Sequence, residues 1–226
     1  MIFQKNIMRK IAIFFFLFSS FINAQRDSTF VDNKYLEDQL YTNLTYIKLL
    51  ELPDAISQTG FSYGIGLGFI RDLPLNPRRN IGLGAGLGYA LNAYYFNVKE
   101  ETVLPTETGS TELKSNKVAM HAIEMPFELR FRTSTAQEYR FWRFYPGFRM
   151  AYVFATNSSL KQREGFDVED VIKINKFLYG VTLSTGFNKW NLYVYYGLND
   201  IFTNTSQNAY DIQMQEIRMG LIFYVL

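Results

Sequence analysis

Cysteine is absent from this chain. That excludes disulfides, thiolate metal sites, cysteine nucleophiles and a lipid-anchor cysteine. Histidine occurs once, at His121, too little for a His-rich metal centre. Long apolar runs are missing as well. Ile11–Phe21 is about half the roughly 20 residues a helical span needs. The mean hydropathy of −0.09 also argues against helical spans. Neither sign of charge dominates, with 23 basic and 21 acidic residues, so nothing points to a nucleic-acid partner. Aromatic residues, in contrast, reach 17%, more than a soluble core needs.

The aromatic and aliphatic residues recur at period two. From Phe61, one face carries Phe61, Tyr63, Ile65, Leu67 and Phe69, and the other Ser62, Gly64, Gly66 and Gly68. The pattern resumes at Ile81, with Leu83, Ala85, Leu87, Tyr89 and Leu91 against Gly82, Gly84, Gly86, Gly88, Ala90 and Asn92. Period two over this length predicts strands. A face of near-bare glycine weakens a soluble strand unless something large must fit against it. A transmembrane β-barrel meets both conditions: lipid takes the apolar face, and glycine leaves room inside for bulky polar side chains. Alternation also dilutes hydropathy, so the modest mean is compatible with a barrel.

The order along the chain supports this. Residues 1–24 read as a cleaved signal peptide, with Lys5, Arg9 and Lys10 before the apolar run and Ile22-Asn23-Ala24 as cleavage site; Met8 is an alternative start. Cleavage removes three basic and no acidic residues, taking the formal charge from +2 to −1. Residues 25–38 are polar and aperiodic, a short periplasmic lead-in. Residues 39–226 then predict an all-β, eight-stranded, antiparallel up-and-down barrel. Its strands fall near 39–47, 61–70, 81–97, 118–132, 140–154, 176–187, 190–198 and 213–225. With the N-terminus in the periplasm, the long connections 49–60, 99–117, 155–175 and 200–212 lie outside, as such barrels require. Trp142 and Trp190 then mark the inner-leaflet interface, and Tyr95, Tyr152 and Tyr179 the outer one. The C-terminal Arg218-x-Gly220-x-x-Phe223-x-Val225 resembles the signal read by the outer-membrane insertion machinery.

The same alternation sends charge inward. Arg130, Arg143, Arg149 and Arg218 face Glu124, Glu128 and Glu216, and pairing around the 133–138 turn sets Glu124 opposite Arg149 and Glu128 diagonal to Arg143. An eight-stranded barrel is just wide enough to be filled by side chains. The expectation is a packed core of ion pairs and tyrosines, with a proton or ion path as the minor alternative. Catalysis is not expected. His121 shares its face with Ile123 and Met125 while Glu124 points inside, so no serine–histidine–acid set forms on one patch. Gly84, Gly86 and Gly88 repeat within a strand, with no helix N-terminus to follow, so they are not a phosphate loop. The acidic outer connections do not match a calcium loop. No cofactor or metal is expected.

The run Gln58–Tyr94 combines a Gly-Phe entry, a Gly-x-Gly-Phe-Ile-Arg-Asp-x-Pro turn and an Arg-Arg-Asn-Ile restart. With Lys34-Tyr35-x-Glu37-Asp38-Gln39 and His121-Ala122-Ile123-Glu124-Met125-Pro126, it resembles the PorT family of outer-membrane barrels of Bacteroidota. That resemblance implies a part in type IX protein secretion, and in gliding motility where the system drives it; it brings no catalytic residues. Two other readings stand beside it: a passive structural or adhesin-like barrel acting through its outer loops, and a lipid-modifying barrel enzyme, which the placement of His121 disfavours. Expected partners are outer-membrane lipids and, on the periplasmic side, other secretion proteins. The candidate docking loop is Arg71–Asn80, with Arg71, Asp72, Arg78 and Arg79 as its charges and Pro74 and Pro77 as its stiffeners.

Overall fold

The computed structural model of the chain describes residues 39–52, 56–58, 60–98, 113–133, 142–159, 173–187, 190–203 and 214–225. The expected signal peptide and the 25–38 segment lie outside them. Eight long strands form one antiparallel sheet: β1 (Gln39–Leu50), β2 (Tyr63–Pro74), β3 (Ile81–Val98), β4 (Leu113–Arg132), β5 (Trp142–Ser159), β6 (Phe177–Phe187), β7 (Trp190–Gly197) and β8 (Gln215–Val225). Each pairs with its neighbour in sequence, and β1 pairs with β8 from Leu40↔Val225 to Leu50↔Gln215, closing the barrel. Closure leaves no long strand with an unpaired edge.

Alternating faces decide what is inside. On β1, Leu40 is 60% exposed and its neighbour Tyr41 2%; on β7, Leu192 is 64% and Tyr193 2%. Outward-pointing Leu, Ile, Phe and Trp side chains continue on every strand, a belt far larger than a soluble monomer leaves uncovered. Aromatic pairs mark both ends. Trp142 lies 5.5 Å from Phe187 and Trp190 5.4 Å from Phe223 at the end with the short connections, called here the turn end. Tyr152 lies 5.1 Å from Phe177 towards the opposite, loop end.

Glycine makes the room the sequence predicts. A Cβ on Gly84 would come within 2.6 Å of Arg130 Nε, and one on Gly88 would collide with the Tyr41 hydroxyl. Gly84→Val is therefore expected to cost about 1–3 kcal/mol by overpacking, read as a lower urea midpoint of the refolded barrel. An unchanged midpoint would mean that Arg130 has another place to go.

Three differences from the expected layout bear on the site. First, β2 does not stop at Ile70. It runs to Pro74 in unbroken register with β3, ending at Pro74↔Gly82, so the connection shrinks from ten residues to Leu75–Asn80. Second, the β4–β5 register is offset by two: Glu124 faces Ala151, Pro126 faces Arg149, and Arg132 faces Arg143. The pairing starts later than assumed, with Thr133 N donating to Trp142 O, so the whole ladder slides. Third, β1, β3, β4 and β5 all extend further towards the loop end than alternation suggested.

Candidate functional site

The lumen is filled in two tiers. The lower one, from the turn end to mid-barrel, is ionic. Asp72 on β2 binds Arg132 closely and lies 3.5 Å from Arg130. Arg130 Nε in turn donates to Glu128 at 3.1 Å, and Glu128 accepts from Tyr224 at 3.3 Å. Further up, Glu124 takes Arg149 at 2.8 Å on one oxygen and Arg218 at 3.3 Å on the other. Arg218 also binds Glu216, which accepts the Tyr94 hydroxyl at 2.7 Å. Tyrosine rings complete the shell: Arg130 stacks over Tyr145 at 5.1 Å, Arg149 over Tyr193 at 5.0 Å and Arg218 over Tyr195 at 4.6 Å. Arg143 stands over Tyr224 at 5.7 Å. Buried guanidinium groups are tolerable because carboxylates and ring faces surround them at short range.

The structure thus brings together Glu124, Glu128, Arg130, Arg143, Arg149, Glu216 and Arg218, all buried. The partners differ in part. Glu124 and Arg149 meet although they are diagonal and not opposite, because the long guanidinium spans the two-residue offset. Glu128 pairs with Arg130, and Arg143 faces Arg132 instead. Two members escaped the sequence reading. Alternation sends Arg132 inward beside Arg130 but gives it no partner, and Asp72 is expected in the docking loop; the structure pairs the two.

The upper tier is apolar, where a polar lumen was expected. Ile47, Leu49, Tyr94, Phe96, Val118, Met120, Val153 and Leu178 point in from the walls. Ile201, Phe202 and Met214 close them off from the loop end, at 0, 4 and 1% exposure. Short pairings hold these closing residues: Phe202 sits opposite Ile174, Asn175 N donates to Ile201 O, and Ile201 N donates to Met214 O. Nearby, the strand fragment Ile56–Gln58 pairs with the end of β3. The Gln58 amide accepts from Leu49 N at 2.9 Å and donates to Ile47 O at 2.7 Å, imitating a strand neighbour for β1.

At the turn end, residues 75–80 form a tied-down turn. Leu75 N donates to Ile81 O, Arg79 N to Asn76 O, and Asn76 bonds Asn80. Arg79 holds a positive φ of 54°, and its carbonyl accepts Arg132 Nε at 2.6 Å. The four charges of the proposed loop separate. Asp72 is inside the barrel, Arg71 is exposed on the outer wall of β2, Arg78 is exposed on the turn, and Arg79 is half-buried against the rim. Only Arg78 projects from the turn as a docking contact would.

The remaining chemistry is sparse. His121 lies on the outer wall, its Nδ1 2.6 Å from the Tyr89 hydroxyl, with Glu124 on the opposite face of β4. Among the described residues, no group of three or more His, Cys, Asp or Glu stands where it could hold a metal ion. A notch of about 350 Å³ at the turn end is lined by apolar Ile81, Phe131, Trp142 and Phe144 and by polar Asn80, Arg132, Thr133, Arg143 and Thr185, and holds no catalytic set.

Residues 23–203 match the family described as outer membrane protein beta-barrel domain. No curated protein matches. Among solved structures, the chain is similar to the outer membrane protein OprG from Pseudomonas aeruginosa, at 14% identity and a TM-score of 0.39, over 84% of this chain and 90% of that one. A likeness that loose carries no argument here.

Proposed function

This chain belongs to the outer membrane protein β-barrel domain family, and from that premise we infer that it is a non-enzymatic barrel serving protein secretion across the outer membrane by contacts with other proteins and not as a pore. The observation that carries the second half is the filled lumen. Ion pairs occupy it below and apolar side chains close it above, leaving contact surfaces as what the barrel can offer. The resemblance of Gln58–Tyr94 to the PorT family supports the first half and points to the type IX system, with gliding where present. In this reading the turn end and the N-terminus face the periplasm, where short turns belong. Partners are outer-membrane lipids around the belt and secretion proteins at the turn end.

A second reading, an adhesin-like or structural barrel, is favoured by the concentration of the longest connections at the loop end. A deletion strain separates the two. Accumulation of cargo in the periplasm supports secretion; normal secretion with lost adhesion or envelope integrity supports the alternative; altered lipid A would mark an enzyme.

The docking contact is testable more finely. Arg78→Ala with Arg79→Ala is expected to abolish secretion while the barrel still inserts and keeps heat-modifiable migration on gels. The Arg79 carbonyl that Arg132 uses survives the change. Normal secretion would remove this turn as docking site, and failed insertion would assign the arginines to assembly.

A further inference from the structure

The outer wall of β3, β4 and β5 is apolar from the turn end as far as Ile123, and then its character changes. Tyr89, His121, Asn157 and Lys117 follow on the same face. Tyr89 hydroxyl lies 2.6 Å from His121 Nδ1, and Asn157 Nδ2 lies 3.4 Å from His121 Nε2. Lys117 Nζ stands 5.5 Å from the Tyr95 ring centroid. Asn157 sits opposite Ala119, midway between Lys117 and His121 on β4. No Asp or Glu shares this face among the described residues of the three strands.

A β-bulge assembles the cluster. His121 pairs with Ala155 and Ala122 with Val153, so Phe154 is the extra residue on β5. Below it, Ala151 and Val153 face the lumen. Past it the phase inverts, and Asn157, which straight alternation would send inward, reaches His121 on the outside. Phe154 itself lies against the Tyr89 and His121 rings, at 6.4 and 6.3 Å. Bulges that re-aim side chains are designed features. Ionisable and amide groups facing a bilayer are costly, and they persist where they bind something.

We propose that Lys117, His121 and Asn157 form a binding site for the phosphate of a glycolipid in the outer leaflet, with its acyl chains lying along Phe154, Ile123 and Phe127. The wall offers an ammonium point charge at Lys117, an amide at Asn157 two positions below and an imidazole at His121 two positions below that, spread over roughly 13 Å of strand, with no acid to compete; together these are groups that can hold a phosphate. The residues below it are apolar and exposed to lipid, as acyl chains require: Phe154 is 53% exposed, Ile123 42% and Phe127 43%. The choice of leaflet rests on the orientation given under Proposed function.

The test uses the full-length mature barrel, refolded in detergent and examined by native mass spectrometry with diphosphoryl lipid A, lipid A stripped of phosphate, or phosphatidylglycerol. One retained diphosphoryl lipid A per barrel is expected, with retention falling by about tenfold or more in Lys117→Ala with His121→Ala, since hydrogen bonds to a charged group are each worth about a factor of ten. Lys48→Ala, which removes an exposed, outward lysine near the loop end of β1, is expected to change nothing, and Lys117→Arg is expected to retain the lipid. Equal retention of all three lipids, or equal loss in Lys48→Ala, would overturn the site. A preference for phosphatidylglycerol would overturn the glycolipid assignment. Orientation is read separately, by labelling Glu51→Cys, exposed just past the loop end of β1, on intact cells in this otherwise cysteine-free chain. Labelling with no lipid A retention sinks the site alone; failure to label sinks the orientation.

Discussion

Glu124→Ala is expected to destabilise the barrel more than the removal of any other single interior charge. Its two oxygens serve different arginines, Arg149 from β5 and Arg218 from β8, so one substitution strips a carboxylate from two buried guanidinium groups. Arg218 retains Glu216, but Arg149 keeps no other carboxylate among its described contacts and is left with the Tyr41 and Tyr193 rings. Breaking a buried pair by deleting one partner costs about 3–5 kcal/mol in soluble proteins, and the same order is expected here. Arg149→Met should cost less, because it removes a cation and fills much of the space. The double variant should cost less than the two single changes together, with a coupling of roughly 0.5–3 kcal/mol for groups in contact. Urea unfolding in lipid vesicles, followed by the fluorescence of Trp142 and Trp190, measures all four corners of the cycle. Strict additivity would show that the two groups do not interact.

No steady conductance is expected from the barrel in planar bilayers. Two barriers stand in series, of opposite chemistry. An ion passing the apolar tier would shed water against Phe96, Met120, Val153 and Leu178 without finding a polar partner. Below, it would have to displace guanidinium groups already held by carboxylates. Opening one barrier leaves the other, so Ile201→Ala with Phe202→Ala is expected to stay silent as well. Porin-like steps from the wild-type chain would mean that the interior rearranges on insertion or that several barrels build a pore between them. Secretion through this lumen would then need to be reconsidered.

The strands with one apolar and one small or polar face were legible from the sequence, and the reasons are local. Side-chain direction alternates strictly in a strand, so Phe61 to Phe69 and Ile81 to Leu91 announce their faces without tertiary information. Legibility ended where both faces carry one character. β1 is not legible past Ile47, because Ile47 and Leu49 are inward yet apolar, which erases the contrast between its faces. Asp72 is hidden for a related reason. A carboxylate two residues before proline resembles a turn, and its actual partners, Arg130 and Arg132, lie about sixty residues away. The β4–β5 register depended on where pairing resumes after Thr133, which composition does not encode. Apart from Asp72, the residues of the ionic tier are legible, since each faces inward by parity alone; the contacts among them are not, since those depend on register and on how far a guanidinium reaches.

The pairing of β1 with β8 sets how this protein must be made. The ladder from Leu40↔Val225 to Leu50↔Gln215 joins the two extremes of the barrel chain. Every other seam joins strands that are consecutive in sequence; this one cannot form until the last strand has arrived. Until then the growing sheet has two open edges, and such edges invite pairing with foreign strands. A contact spanning so much chain is also slow to find unaided. Closure is therefore the late step of assembly. A helper that escorts the unfolded chain, or holds one edge while the other approaches, would act on β1 and β8 and leave no trace in the finished ring.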